Sequence, residues 1–268
     1  MKVTNLSKTN KIKKKENFKI IIQVRLSSSR LPKKVLKKIY RNQSMLEFLL
    51  NRLSKKFKKE NIIIALAKDK MNLPIMKILN KYEIKYYEGS ENNVLSRYYR
   101  CAQKFKVDNI IRITSDCPLI DTDLIFKMIK SFKLNNYEYL SNTLPEKIKT
   151  FPDGSDIEVF KFNSLKKLMK LKLTQSDKEH VTNKFWSSKI FRSKIYKFKK
   201  DLSQYRYSVD YHSDIINIKK IIHQLIKNKL KFTTMNIINI INKNNSIKNA
   251  MFENMTKQKK RRHKIFKI

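Results

Sequence analysis

Lys19-Ile20-Ile21-Ile22-Gln23-Val24 runs directly into Arg25-Leu26-Ser27-Ser28-Ser29-Arg30-Leu31-Pro32-Lys33-Lys34. A short β-branched apolar run bounded by a polar, proline-containing stretch reads as a buried strand followed by a loop. Working outward, the same pattern repeats. Apolar runs at 61–67, 85–87 and 109–114 read as strands, and amphipathic stretches at 45–57, 73–80, 93–105 and 121–132 read as helices between them. This alternation predicts an α/β fold: three layers around a doubly wound, mostly parallel sheet. Beyond 137–141 the pattern loosens into a loop at 145–155, a strand at 157–160 and a helix at 163–171. Strands at 194–198 and 206–209 and a helix at 214–227 complete it. No internal repeat is visible.

These readings place one folded domain over 18–232. Residues 1–17 are expected to be a disordered basic leader, and 233–268 an Asn/Lys-rich basic tail. The chain has 268 residues, long enough to bury a core without disulfides. No apolar run reaches the roughly 18 residues a membrane span requires, so no membrane span is expected. Nothing reads as an export signal, and a cytoplasmic location is expected. Cys101 and Cys117 are too few for a disulfide framework and lack zinc spacing.

The formal charge of +40 invites a polyanion partner. However, lysine is spread along the chain with no single stripe, which fits a solvated, compositionally biased surface, and nucleic acid is not the favoured partner. There are 51 lysines and only 11 arginines, while glycine falls to 2, as an AT-rich coding bias would produce. Arginine is therefore informative where it occurs. Arg25, Arg30, Arg97, Arg112 and Arg206 mark places where a planar, permanently charged fork is needed.

Ligands of open α/β sheets bind beyond the carboxyl ends of the strands. The loop after the first strand combines Arg25, Arg30, Lys33 and Lys34 with Ser27, Ser28 and Ser29, a set suited to wrapping phosphates. The strand at 109–114 ends in Arg112-Ile113-Thr114-Ser115-Asp116-Cys117-Pro118-Leu119-Ile120-Asp121. A carboxylate facing a phosphate loop needs a divalent cation between them, which makes Asp116 a candidate magnesium ligand. Asp121-Thr122-Asp123 spells D-x-D but is better read as a helix N-cap with a first-turn acid.

The first loop resembles the Q-A-R-x-x-S-x-R-L-P-x-K signature of spore-coat polysaccharide type cytidylyltransferases, relatives of the acylneuraminate and 3-deoxy-manno-octulosonate cytidylyltransferases. Gly89-Ser90-Glu91-Asn92-Asn93-Val94-Leu95-Ser96-Arg97-Tyr98 is similar to their G-S-E-x-x-V-L-x-R-Y, and 112–121 is similar to R-I-T-G-D-C-P-L-I-D. Ser141-Asn142-Thr143, the segment 151–160, Glu179-His180-Val181-Thr182 and Ser208-Val209-Asp210-Tyr211 follow in family order, so the resemblance covers about 19–228.

The resemblance implies a nucleotide-diphospho-sugar transferase (glycosyltransferase type A) fold and transfer of CMP from CTP to a sugar, an acidic one for surface polysaccharide. It also implies Mg2+ as cofactor and commonly a homodimer. It assigns Arg25, Lys34 and Asp116 to catalysis, and Gln23, Arg25, Ser28, Arg30, Lys34, Arg97 and Asp116 to the nucleotide. The magnesium would fall to Asp116 and Asp210, and the sugar to Asp153, Gly154, Asp156, Glu158 and His180.

The bare residues leave other roles open. Asp210 also suits a helix cap, Arg97 a surface ion pair, Asp153-Gly154 a turn, and His180 a structural position. Ser27, Lys33 and Ser115 stand at family glycine positions, where a side chain is expected to strain or shift the loops. Two competing functions follow from the same residues: a polyanion-binding protein on a degenerate fold, and a nucleotide-sugar-dependent glycosyltransferase.

Overall fold

The computed structural model describes residues 16–266, with side chains through Lys260. The expected leader, 1–17, falls outside this range up to residue 15. Its strands are β1 (Phe18–Val24), β2 (Lys38–Tyr40), β3 (Gln43–Ser44), β4 (Ile62–Ala67), β5 (Lys85–Gly89), β6 (Asn109–Thr114), β7 (Tyr139–Ser141), β8 (Glu158–Lys161) and β9 (Ser193–Ile195). The helices are α1 (Met45–Ser54), α2 (Leu73–Lys81), α3 (Val94–Lys104), α4 (Thr122–Leu134), α5 (Phe162–Leu168), α6 (Gln175–His180), α7 (Asn183–Ser187), α8 (His212–Lys227), α9 (Thr234–Asn242) and α10 (Asn245–Phe266).

Seven strands form one sheet in the order β5-β4-β1-β6-β8-β7-β9, and only β8 runs against the rest. β1 is central, its Ile22 paired with Ile64 of β4 on one side and Ile113 of β6 on the other. Alternation along β1 explains the three layers. Ile20, Ile22 and Val24 pack on one face with α1, α4, α8 and α9, while Ile21 packs on the other with residues of α3 and α5. β1 and β6 end level, Gln23 beside Thr114, so the loops that follow them emerge together at one edge of the sheet.

Local chemistry sets the helix starts. Ser44 and Glu47 form a reciprocal capping box on α1. Asp121 caps α4 through the amides of Asp123 and Leu124, the role read from the sequence, and its other oxygen accepts from Thr234 N at 3.1 Å.

Two expectations need correction. Residues 206–209 form no strand; a single parallel bridge joins Arg206 to Asp153. Side-chain bonds and the Val209 N–H to Asp116 carbonyl bond of 2.9 Å hold this segment in place of a ladder. Residues 233–260 are not a solvated tail. Ile237, Ile238, Ile240 and Ile241 give α9 a buried apolar face, and Ile247 and Met251 of α10 join the same core. Asparagine and lysine on the other faces hide that periodicity in the composition. α6 and α7 are likewise absent from the sequence reading.

Candidate active site

The loop after β1 and the loop after β6 line a cavity of about 650 Å³, and Arg30 and Lys34 in its wall reach back to Asp210 of the segment 206–210. Gln23, Arg25, Ser28, Arg30, Lys34, Arg97 and Asp116 all line it, so the structure brings the sequence-derived nucleotide set together. The cationic side chains in its wall are Arg25, Arg30, Lys34, Arg97 and Arg112, set against the carboxylates of Glu91, Asp116 and Glu179. That excess of positive charge in a concave site favours a polyanion.

Lys34 lies at the centre. Its Nζ donates to Asp116 Oδ2 at 2.9 Å, to Asp210 Oδ1 at 3.1 Å and to the Val209 carbonyl at 2.8 Å. Burial alone would lower the Lys34 pKa, but the two carboxylates raise it above its ordinary value. Asp210 is buried, which works to raise its pKa; Lys34, Arg30 and Arg206 together hold it well below the usual carboxylate range. Asp116 is lowered in the same way, its burial outweighed by Lys34. Arg30 bonds Asp210 Oδ1 and lies over the Tyr211 ring.

A deeper layer supports this floor. Arg206, whose side chain is fully buried, donates to Asp210 Oδ2 at 2.9 Å and to Asp214 Oδ1 at 2.8 Å. Arg112 pairs with Glu158 and reaches Gln23 Oε1 at 2.9 Å, while Tyr139 donates to Glu158 at 2.5 Å. Glu158 thus sits 3% exposed on β8, fixing Gln23 through Arg112, and does not line the cavity where a sugar-facing carboxylate was expected.

Asp153, Gly154 and Asp156 do not line the cavity either. Asp153 pairs with Lys149, and its backbone joins Tyr205 and Tyr207. Gly154 adopts φ +103° with its Cα against the chain: an added Cβ would lie 2.6 Å from Ser208 N. Asp156 accepts from Gly154 N at 2.7 Å, and burial, reinforced by Asp153, pushes its carboxyl up to about 6.

His180 is placed on the cavity rim beside Glu179. The chain turns sharply after it. Val181 has φ 59° and ψ −49°, and Thr182 N donates to the His180 carbonyl at 2.5 Å. This is the γ-turn geometry that is rare and strained, here on a β-branched residue. Arg97 is 2% exposed and its Nη1 donates to the Ser90 carbonyl at 2.6 Å, which excludes the surface ion pair. Gly89 makes room for it, because a Cβ there would lie 3.0 Å from Arg97 Cγ and 2.8 Å from Tyr87.

Of the three family glycine positions, only Lys33 adopts the left-handed conformation, at φ 54° and ψ 29°. Neither Ser27 nor Ser115 has a positive φ, so neither carries left-handed strain. Gln258 of α10 also lines the cavity, and no pattern in the sequence pointed to it.

The family model described as cytidylyltransferase matches residues 19–258. The chain belongs to the cytidylyltransferase family. Two protein relatives and one solved structure extend that match. "Uncharacterized protein MJ1063" of Methanocaldococcus jannaschii is 37% identical over 162 residues, 60% of this chain and 64% of that protein's length. The spore coat polysaccharide biosynthesis protein SpsF of Bacillus subtilis is 26% identical over 234 residues, covering 84% of this chain and 93% of SpsF. The structure of a cytidylyltransferase from Leptospira borgpetersenii superposes with a TM-score of 0.77 at 28% identity, over 87% of this chain and 97% of that one. Within this cytidylyltransferase fold, no described helix is long and apolar enough to cross a membrane.

Proposed function

We propose that this chain transfers CMP from CTP to a hydroxyl of a sugar, an acidic one in the reading developed above, with release of pyrophosphate. The observation that carries the proposal is the convergence of Asp116 and Asp210 on one ammonium at the floor of an arginine-lined cavity. Membership of the cytidylyltransferase family supports the nucleotide, and the name of the SpsF relative supports a polysaccharide precursor as acceptor.

The residues present fit a magnesium ion. Among the described residues no cluster of three or more His, Cys, Asp or Glu is arranged to hold a metal. Magnesium needs no such cage, since it takes one or two carboxylates and completes its shell with phosphate and water. Asp116 and Asp210 already direct oxygen atoms at a shared cation and would hold it. Bound there, Mg2+ would supply charge neutralisation at the reacting phosphate.

The chain's own groups do the rest. Arg25, Arg30 and Lys34 bind the triphosphate and neutralise charge growing on the departing pyrophosphate. Gln23, Ser28 and Arg97 orient the nucleotide, Gln23 being itself fixed by Arg112 and Glu158. The acceptor oxygen forms its bond to the α-phosphorus as the bond to the bridging oxygen of pyrophosphate breaks. His180, on the rim, takes the hydroxyl proton at an imidazole nitrogen.

A thermal-shift panel of CTP, UTP, ATP and GTP, each with and without Mg2+, tests the nucleotide. At about 100 times its dissociation constant a ligand adds roughly 2.7 kcal/mol. A magnesium-enhanced shift confined to CTP is expected, followed by pyrophosphate release with sugar acceptors; no shift with any nucleotide refutes the proposal. Asp116→Asn is expected to keep the fold and lose about a hundredfold or more in turnover.

A further inference from the structure

Asp210 is held from behind by α10, the helix that the composition disguises as a tail. Asn254 is 0% exposed. Its Nδ2 donates to Asp214 Oδ1 at 2.7 Å and to Ser213 Oγ at 2.9 Å. Asp214 then distributes the contact. Its Oδ1 accepts from Arg206, and its Oδ2 accepts from the backbone amides of Asp210 at 2.8 Å and Tyr211 at 2.9 Å. Arg206 closes the circuit on Asp210 Oδ2, and its own backbone N–H is received by Met251 Sδ of α10 at 3.2 Å.

Burying a carboxamide in a helix-packing face costs free energy that only full pairing offsets. Leucine or methionine would pack there with no such demand. Both donor bonds of Asn254 end in the first turn of α8, directly after the segment that carries Asp210. Ile247, Met251, Asn254 and Gln258 recur at spacings of four, three and four, one face of α10 that starts in the core and ends in the cavity wall.

We propose that α10 is a working part of the reaction centre, with Asn254, assisted by Met251, as a positioning residue that sets the carboxylate of Asp210 through Asp214 and Arg206. The proposal rests on the reading of Asp210 as a magnesium ligand in the cytidylyltransferase site. Partners in the layer behind a metal ligand typically govern affinity by about 10- to 100-fold, which gives the size of the effect.

The test is Asn254→Ala in the full chain. Calorimetry follows CTP binding with and without Mg2+, and hydrogen exchange follows the Asp210 and Tyr211 amides. The variant is expected to bind CTP without Mg2+ within about twofold of the parent while the magnesium enhancement falls by about tenfold or more. Both amides should lose protection. Ser213→Ala, which removes the other partner of Asn254 and leaves the Asp214 bond, should keep the enhancement.

If Asn254→Ala does not fold, Met251→Leu, nearly volume-conserving, removes the sulfur acceptor and should shift both readouts the same way by less. An undiminished magnesium enhancement with protected amides overturns the proposal and reduces Asn254 to packing. A parent chain that binds no CTP refutes the proposed function alone. The exchange measurement, which needs neither CTP nor metal, still decides the positioning.

Discussion

Replacing Lys34 by methionine removes the ammonium from between Asp116 and Asp210 while keeping most of the side-chain volume. The Lys34 side chain is 12% exposed and that of Asp210 6%, but Asp210 retains Arg30 and Arg206. The loss therefore falls on Asp116, whose side chain is 31% exposed. Breaking a fully buried pair costs about 3–5 kcal/mol, and water reaching Asp116 should reduce this to about 2 kcal/mol. For a chain of this size that is a fall in Tm of about 4–8 °C.

Magnesium without nucleotide gives the sharper readout. In the parent, Arg30, Lys34 and Arg206 stand against Asp116, Asp210 and Asp214, a cluster with no uncompensated charge. Mg2+ alone should therefore move the parent's Tm by less than about 1 °C. Lys34→Met leaves one carboxylate unmatched, and Mg2+ at ten times its dissociation constant should return about 1.4 kcal/mol. Scanning calorimetry over a magnesium series measures both. A variant that melts with the parent and ignores Mg2+ would refute the claim that the ammonium holds the two carboxylates.

Glu47, in the α1 capping box, carries a pH dependence of its own. Burial opposes its ionisation, but the Ser44 backbone N–H and hydroxyl, with Lys81 and Lys38, bring it from 4.5 down to about 2. A lowered carboxylate contributes its stability above about pH 4.5 and loses it as pH falls toward 2. With screening of the exposed lysines, Glu47→Gln should cost about 2 kcal/mol at pH 7 and little at pH 2, by urea unfolding at both. Lys33→Gly relieves a left-handed residue and should gain about 0.5–1 kcal/mol after the entropy of glycine is counted; a lower urea midpoint would contradict it. Ile241→Ala should cost about 2–4 kcal/mol, because 241 is 0% exposed in the main core; a cost below about 0.5 kcal/mol would return α9 to the status of an appendage.

The sheet and the loops that line the cavity were legible because their signals are local: β-branched runs for the strands and scarce arginine against abundant lysine for the site. Arg25, Arg30, Arg97 and Arg112 all reach the cavity wall, and Arg206 grips Asp210 beneath it. What stayed hidden depends on contacts distant in sequence. Glu158 looks like a sugar-facing carboxylate until Arg112, 46 residues away, is seen to occupy it. Asn254 and Gln258 lie in a lysine- and asparagine-rich run whose buried face emerges only when α8 and α9 are packed beside it. The segment 206–209 has strand-like residues, yet its neighbours offer one bridge in place of a ladder.

At ordinary usage a chain of this length would contain about 19 glycines, and this one has 2. Such depletion makes the two glycines that remain informative. At Gly89 a methyl group would collide with Tyr87 and crowd Arg97; at Gly154 it would be driven into the backbone of Ser208. Lys33 shows the softer case, since a left-handed turn taxes a side chain but does not forbid it. In a chain so depleted of glycine, the two that remain map hard steric walls. One wall stands against Arg97 and the other against the segment that carries Asp210.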